Sequence, residues 1–224
     1  MSSDLIREHV RLVLAELPSG VSLVAAGKTR SPDELHAAIE AGVEIVGHNY
    51  VQEARASIAA LGREAAAWHM IGHLQRNKAR EAVELFDLVE TLDSLRLARA
   101  LDKACAQAGR ELPVLIEVNS GLEPDKHGAH PDEVEKLARE LADFPSLRLE
   151  GLMTMGPFLD SPEQMRPYFR LCAELYRHLE SLDMPGAALR TLSMGMSDSY
   201  RVAIEEGANL VRIGTRLFGP REAK

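Results

Sequence analysis

The feature that most constrains the fold is a regular alternation, along almost the whole chain, of short apolar segments with longer segments of helical periodicity. The short segments are rich in Val, Ile, Leu and Met, as in buried strands, and their spacing fits parallel βαβ units. The predicted strands span residues 21–26, 44–47, 68–71, 86–90, 113–118, 147–154, 190–194 and 209–213. The predicted helices between them span residues 33–41, 50–61, 76–84, 94–108, 132–143, 162–181 and 198–206.

Several helix boundaries are marked by residues that favour them. Ser31 and Ser161 each precede a proline at the start of a helical segment, which is typical of an N-cap followed by the first helical residue. Gly42 and Gly207 follow helical segments in the similar phrases IEAGVEIV and IEEGANLV, where glycine commonly ends a helix. These positions therefore indicate helix-to-strand turns.

Eight strands alternating with helices predict an α/β protein, a closed (β/α)8 TIM barrel in a single domain covering residues 1–224. An open doubly wound sheet is the alternative, but no G-x-G-x-x-G motif follows the first strand. No Pro-, Gly- or Ser-rich linker divides the chain. An extra amphipathic helix is expected before the first strand. Its apolar face would comprise Leu5, Val10, Val13, Leu14 and Leu17.

Charge and hydropathy argue against several classes of protein. The chain has 34 acidic and 26 basic residues and a net charge of −8, which disfavours nucleic acid or an anionic membrane surface as a partner. No apolar run approaches the ~18–20 residues that a membrane-spanning helix needs. The amino-terminal segment contains acidic residues and lacks a signal-peptide cleavage site, so we expect a cytoplasmic protein.

The cysteines and histidines give no convincing metal-ligand pattern. Cys105 and Cys172 lie in helical segments between apolar residues, so we expect two buried reduced thiols rather than a disulfide. His69 and His73 have the i, i+4 spacing of a zinc-binding helix. However, the glutamate of the H-E-x-x-H motif is missing, and the pair lies at a predicted strand end. We therefore predict no metal site.

Active-site residues of a TIM barrel lie at the carboxyl ends of the strands. Lys28, one of six lysines in the chain, follows the first predicted strand directly. A lysine at this position can clamp a phosphate by its charge. It can also form a Schiff base, because a partly desolvated ammonium group loses its proton more easily.

The last two strand ends have the composition of a phosphate site. Residues 193–199 (SMGMSDS) are small, bear hydroxyls, include a glycine and run directly into a helix. Residues 212–215 (RIGT) end the last strand with glycine and threonine. TIM barrels often bind phosphate between these two loops, where free backbone N–H groups face the ligand. The sequence therefore predicts phosphate binding.

Pyridoxal 5′-phosphate would unite these features, because it offers an aldehyde to Lys28 and a phosphate to the last two loops. Arg212 lies inside the eighth predicted strand, and a buried arginine requires a partner. The pyridine nitrogen of the cofactor is one candidate partner. A carboxylate from a neighbouring strand is the other.

Five phrases of the sequence carry a family resemblance: GHNYVQEA, WHMIGHLQRNK, GLMTMGP, LSMGMSDS and VRIGTRLFG. In this order, and over about residues 20–220, the chain resembles the pyridoxal phosphate homeostasis protein family, which is itself similar to the barrel domain of alanine racemase. The resemblance implies a (β/α)8 barrel like the alanine racemase N-terminal domain, with pyridoxal 5′-phosphate as its cofactor.

The resemblance also implies roles for individual residues. Lys28 would form the internal aldimine, Asn49 would lie near the cofactor, and Arg212 would face the pyridine nitrogen. Lys126, after the fifth strand, matches a second family lysine and is a candidate for cofactor transfer. The phosphate would be held by Ser193, the backbone of Met194 and Gly195, and Gly214 with Thr215.

Two positions depart from the family pattern. His48 stands where the family usually has an acidic residue. Gly27 stands where the family usually has serine or a similar residue before the lysine. Neither departure removes a predicted contact to the aldehyde or the phosphate, but His48 changes the charge expected around Asn49.

The implied function is a carrier in pyridoxal 5′-phosphate homeostasis, which delivers the cofactor to apoenzymes transiently and turns over no substrate. A weak or narrow amino-acid racemase is the alternative, and a scaffold with an incidental Lys28 is the third reading. Racemisation requires bases on both faces of the cofactor. In alanine racemases the opposite base is a tyrosine of a second domain, which we do not expect in a chain ending at Lys224. Nothing in the sequence places a tyrosine opposite Lys28; the four are Tyr50, Tyr168, Tyr176 and Tyr200.

Overall fold

Eight parallel strands close into a barrel in the computed structural model, which describes residues 1–220 of the chain. The strands follow their sequence order around the barrel, and the last pairs with the first. The predicted closed barrel is confirmed, and residues 221–224 of the expected domain lie outside the described residues. The strands are β1 (Ser22–Ala26), β2 (Ile45–His48), β3 (Ala67–Met70), β4 (Leu88–Leu92), β5 (Leu112–Glu117), β6 (Leu147–Thr154), β7 (Ala187–Met194) and β8 (Leu210–Ile213).

Helices surround the barrel and connect successive strands. The predicted extra helix, α1 (Ser3–Glu16), precedes β1, and a short unpredicted helix, α9 (Thr215–Phe218), follows β8. Within residues 1–220, no helix is both long and apolar enough to cross a membrane. The connecting helices are α2 (Pro32–Glu40), α3 (Val51–Leu61), α4 (Ala79–Leu85), α5 (Leu95–Ala108), α6 (Val134–Glu140), α7 (Arg166–Glu180) and α8 (Tyr200–Glu205).

The predicted helix boundaries are supported by local geometry. The Ser31 hydroxyl accepts the Glu34 N–H at 3.2 Å, and the Glu34 carboxylate accepts the Ser31 N–H at 2.9 Å, which forms a capping box on α2. Gly42 and Gly207 follow α2 and α8 with φ values of 111° and 105°, which residues with a side chain rarely adopt. Both glycines therefore turn the chain from a helix into the next strand, as the sequence predicts.

Two apolar layers are separated by the barrel wall. One large cluster fills the space between strands and helices and includes the fully buried Trp68, Phe86 and Phe169. Smaller clusters fill part of the barrel interior, because alternate side chains of each strand point inward. The inward clusters are Val24, Ile71 and Leu210, and Leu88, Leu115 and Met153.

The amino-terminal helix packs against α2 and α9. Its buried residues are Ile6, Val10 and Val13, whereas Leu5 is 39% exposed, so the predicted apolar face was wrong at Leu5. The face includes Ile6 instead, because Ile6, Val10 and Val13 have the i, i+4 and i+3 spacing that places residues on one side of a helix.

The two cysteines belong to the outer apolar layer. Cys105 and Cys172 are buried and unpaired, which confirms the expected reduced thiols. Burial raises the pKa of their thiol groups to about 11 and about 12, respectively. Because the thiolate is the reactive form, both are inert at neutral pH.

Candidate functional site

Lys28 lies in the loop immediately after β1, and its side chain is half-buried. Its Nζ lies 5.5 Å from the centre of the Tyr50 ring, which is a cation–π distance. The next residue, Thr29, has a φ of 64°. A β-branched residue is rare in this left-handed region, where the backbone cost is on the order of 1–2 kcal/mol. Because such strain clusters at functional sites, the turn itself supports a functional role for Lys28.

Two backbone N–H groups converge on one hydroxyl where β7 and β8 end. Gly214 and Arg216 donate to the Oγ of Ser197 at 3.2 and 3.3 Å. They lie at the start of α9, where N–H groups have no acceptor within the helix. An oxygen atom is therefore held where an oxygen of a phosphate could be held. Ser197, Gly214, Thr215 and Arg216 are called the β7–β8 corner below.

The chain reaches this corner through Met194 and Gly195. The Met194 side chain is fully buried in the outer apolar layer, so only its backbone can face the barrel mouth. Gly195 has a φ of 88°, and a Cβ atom there would lie 2.7 Å from the Tyr200 Cα. Its carbonyl accepts the Arg212 N–H at 3.1 Å, which continues the pairing of β7 with β8 toward the corner.

Ser193 does not lie at the β7–β8 corner, contrary to the prediction. Ser193 pairs with Leu210 of β8, and Leu210 lies four residues before Gly214. Four residues span about 13 Å along a strand. The Ser193 hydroxyl is fully buried, donates to Glu90 at 2.6 Å and accepts from Arg212. No contact was predicted for Ser197 from the sequence, although it lies in the same SMGMSDS phrase, because only the strand register separates the two serines.

Arg212 lies inside the barrel and is 3% exposed. Its guanidinium donates to the Thr154 carbonyl at 2.8 Å and to the Ser193 hydroxyl, and Nη1 lies 3.8 Å from a Glu90 carboxylate oxygen. Burial lowers the pKa of Arg212, and the charges of Glu90 and Glu117 oppose that shift. Of the two partners considered for this arginine, the carboxylate from another strand is therefore present.

Glu90 joins Arg212 to His69 across the barrel interior. The Nδ1 of His69 lies 2.8 Å from a Glu90 oxygen. Burial alone would raise the pKa of Glu90, but the hydrogen bond and charge of His69, with the charge of Arg212, hold it below its ordinary value. His69, Glu90, Ser193 and Arg212 thus form one connected set of buried polar groups, called the polar layer below.

A cavity of about 300 Å³ opens at the barrel mouth and is lined by residues that include Asn49, Glu117, Met155 and Met196. This volume suits a small ligand. Glu117 is buried, and its Oε2 has no hydrogen-bond partner in the described part of the chain. Burial, followed by the charge of Asp93, raises the pKa of Glu117 to about 7. No role was predicted for Glu117 from the sequence, although it is the one acidic residue of an otherwise apolar strand, LPVLIE.

Asn49 and Lys126 both line this cavity, as their predicted roles require. Asn49 is half-buried, and its backbone packs tightly against Gly72, where a Cβ atom would lie 2.5 Å from the Asn49 carbonyl oxygen. The Nζ of Lys126 lies 2.7 Å from a Glu123 carboxylate oxygen and 3.3 Å from the Gly156 carbonyl oxygen. Lys126 is therefore held as an ion pair at the edge of the mouth.

The two departures from the family pattern, His48 and Gly27, touch each other. A Cβ atom on Gly27 would lie only 3.1 Å from the Cε1 of His48. The His48 ring is buried and stacks on Trp68 at 6.0 Å, and neither ring nitrogen has a partner within residues 1–220. Burial lowers its pKa to about 4, so the ring is neutral at pH 7. His48 thus packs with Trp68 of the outer layer, and the absent Gly27 side chain leaves room for it.

Comparison with known proteins agrees with this architecture. The family model for the alanine racemase N-terminal domain matches residues 2–222. Curated relatives include pyridoxal phosphate homeostasis proteins of Aquifex aeolicus, 40% identical over 200 residues (89% of this chain and 87% of the relative), and of Escherichia coli, 39% identical over 211 residues (92% and 88%). The chain belongs to the pyridoxal phosphate homeostasis protein family.

Solved structures place this family member in the same fold. PipY of Synechococcus elongatus, determined with pyridoxal phosphate bound, is 34% identical with a TM-score of 0.88, over 96% of this chain and all of PipY. Alanine racemase of Streptomyces coelicolor, at 21% identity, has a TM-score of 0.81 over 98% of this chain but only 59% of the racemase. The second comparison supports the fold alone.

Proposed function

We propose that this protein binds pyridoxal 5′-phosphate and acts as a carrier in its homeostasis. The observation that carries the proposal is the combination of a half-buried lysine after β1 with a convergence of N–H groups after β8, the neighbouring strand. The cofactor would supply an aldehyde, and the Nζ of Lys28 would hold it covalently. Relatives named for pyridoxal phosphate homeostasis, and PipY with the cofactor bound, support the same reading.

Each residue has a distinct task in this proposal. Lys28 is the covalent attachment point, and the cation–π contact with Tyr50 restrains its side chain. Arg212 faces the pyridine nitrogen from the polar layer, and Asn49 lines the cavity beside the ring. The phosphate is held by Ser197, by Gly214 with Thr215, and by the backbone of Met194 and Gly195.

The carrier role includes release of the cofactor to pyridoxal-phosphate-dependent apoenzymes in the cytoplasm. Lys126 is placed to take part, because it lines the mouth cavity and lies on its outer edge. Its ion pair with Glu123 must open before its amine can reach an aldehyde. Transfer through Lys126 is therefore conditional on its release from Glu123 and the Gly156 carbonyl.

A weak amino-acid racemase remains the second candidate, and one observation favours it. Glu117 lines the cavity, and its pKa of about 7 suits a general base near neutral pH. The tyrosines give it less support. Tyr50 contacts Lys28 directly, and the Tyr200 hydroxyl bonds to Glu16 on α1. The carrier reading therefore stands ahead of the racemase, and the test is inversion of amino acids that depends on both Lys28 and Glu117.

The decisive experiment is borohydride reduction of the cofactor-loaded protein, followed by absorption spectroscopy and peptide mapping. The label should lie on Lys28, and Lys28→Ala should lose the visible band and the label. The matched control is Lys136→Ala, because Lys136 is exposed on α6. A Lys28→Ala protein that keeps the full label on another lysine would overturn the assignment.

A further inference from the structure

Three side chains outside the proposed cofactor contacts gather at the rim of the barrel. His73 follows β3, Asp93 follows β4, and His127 lies in the loop after β5. One donor atom of each lies within 4.8 Å of a donor atom of the other two. Residues from three separate loops thus bring two imidazoles and a carboxylate to one point.

The polar atoms of this group are not used elsewhere. Within residues 1–220, none of the three side chains makes a hydrogen bond, and His73 Nδ1 lies 3.7 Å from Asp93 Oδ2. The two imidazole rings are stacked face to face, with centroids 3.5 Å apart and planes inclined by 10°. The ring nitrogens of two imidazoles, which are common metal ligands, therefore lie beside one carboxylate.

We propose that His73, Asp93 and His127 bind one divalent transition-metal ion of the zinc class, with water completing the coordination. Two imidazoles and one carboxylate match the donors of zinc sites that keep an open position. Mg²⁺ and Ca²⁺ prefer oxygen ligands throughout, so the two imidazoles select against them.

The ion requires a modest local rearrangement. Tetrahedral zinc with bonds of about 2.0–2.1 Å places its ligand atoms about 3.3–3.4 Å apart, compared with up to 4.8 Å here. The stacked rings must also tilt so that their nitrogens point to one centre. Both histidines face an open cavity of about 1120 Å³, which leaves room for this rotation.

The surroundings offer one competing possibility. Arg76, Arg96 and Lys126 line the same cavity, and positive charge favours an anion. The carboxylate of Asp93 forms no ion pair with any of them, so its charge stays available to a cation. His69, the other histidine of the HMIGH phrase, cannot contribute, because its ring is bound to Glu90 inside the barrel.

The test is calorimetric titration of the full-length, tag-free protein with Zn²⁺ in phosphate-free buffer, repeated with Co²⁺ so that ligand-field bands report the coordination. We expect one ion per chain, with affinity reduced at least about tenfold in His73→Gln, Asp93→Asn and His127→Gln. His130→Gln is the matched control, because His130 is exposed, lies three residues from His127 and has a similar carboxylate neighbour, Asp132, at 3.6 Å. Thermal unfolding of each variant establishes that it is folded.

Three outcomes would overturn the proposal. Zinc binding that is equal in all variants places the metal elsewhere on the chain. Equal competition by Mg²⁺ contradicts an imidazole site. If the protein binds inorganic phosphate but not Zn²⁺, and the same variants lose phosphate binding, the cavity is an anion site. Buried Cys105 and Cys172 cannot account for zinc binding by the folded chain.

Discussion

The two sides of the barrel mouth use different kinds of chemical group. On the β7–β8 side, the groups proposed to hold a ligand are the backbone N–H of Gly214, that of Arg216 and the Ser197 hydroxyl. On the β3–β5 side, they are side chains on separate loops, such as those of His73 and His127. The backbone at the start of α9 fixes the two N–H groups of the first set, whereas side-chain torsions decide the positions of the second set.

This difference determines how much each side must reorganise on binding. Backbone donors at the β7–β8 corner already converge on one oxygen, so a phosphate can replace that contact with little loss of conformational freedom. The stacked rings of His73 and His127 must rotate before they can share an ion. We therefore expect the corner to anchor its ligand and the opposite rim to bind more weakly and exchange faster.

The largest loss of stability is expected from a substitution in the polar layer, because this layer lies inside the barrel beneath both sides of the mouth. Arg212→Met leaves the fully buried Glu90 carboxylate with His69 and Ser193 as its polar partners. Removing one member of a buried ion pair typically costs about 3–5 kcal/mol. Urea denaturation of the cofactor-free protein should show a loss of this size.

Arg80→Met is the control for Arg212→Met, since the Arg80 side chain is 83% exposed and its pair with Glu84 should contribute little. The double variant Arg212→Met, Glu90→Met should recover much of the lost stability, because no buried charge is then left unpaired. If Arg212→Met lowers the free energy of unfolding by less than about 1 kcal/mol, Arg212 does not stabilise the polar layer.

On the β3–β5 side, stability should fall as the pH rises, because of Glu117. Its pKa is raised from 4.5 to about 7, so the folded protein holds a proton that the unfolded chain has released. The resulting contribution is complete below pH 4.5 and lost as the pH rises through 7. Between pH 5 and pH 8, wild type should lose about 2–3 kcal/mol relative to Glu117→Gln.

The matched control is Glu111→Gln, because Glu111 precedes β5 and its side chain is 69% exposed. Its free energy of unfolding should follow that of wild type at every pH. If the free energies of unfolding of wild type and Glu117→Gln change in parallel with pH, the Glu117 carboxyl is not held protonated in the folded protein.

Behind β2, the opposite pH response is expected from His48. Its pKa is lowered from 6.5 to about 4, so protons bind the unfolded chain more tightly. The stability it contributes is present above pH 6.5 and lost as the pH falls through 4. At pH 5, relative to pH 8, this loss is about 2 kcal/mol.

His48→Phe keeps a ring against Trp68 and Gly27 and should remove that loss, as measured by denaturation at pH 5 and pH 8. His36→Phe provides the comparison, because His36 is 58% exposed on α2. If His48→Phe retains the full acid sensitivity of wild type, other groups cause it.

The sequence was sufficient for the order of strands and helices, because those depend on local signals. Caps such as Ser31 and turn glycines such as Gly42 act within a few residues, and the structure shows both. Lys28 was identified for the same reason, since it follows a strand directly. The apolar face of α1 was wrong only by the exchange of Leu5 for Ile6.

Contacts between distant strands could not be obtained in this way. From the sequence, the i, i+4 spacing of His69 and His73 led to no metal site, because a zinc-binding helix was excluded at a predicted strand end. One binds Glu90 in the interior, and the other meets His127 at the rim. Glu117 was missed because its pKa depends on burial in the closed barrel.

The smallest effect, at two serines of one phrase, tests the comparison most directly. Ser197→Ala removes the hydroxyl at the β7–β8 corner, and a hydrogen bond to a charged group contributes about 1.5–3 kcal/mol, so affinity for pyridoxal 5′-phosphate should fall about tenfold or more. Affinity for pyridoxal, which lacks the phosphate, should stay unchanged. Ser193→Ala should instead lower stability, because Glu90 and Arg212 lose a shared partner, and should leave the ratio of the two affinities as it is. If Ser193→Ala alters that ratio and Ser197→Ala does not, the phosphate contact lies deeper in the barrel than the corner, and strand register is not what positions it.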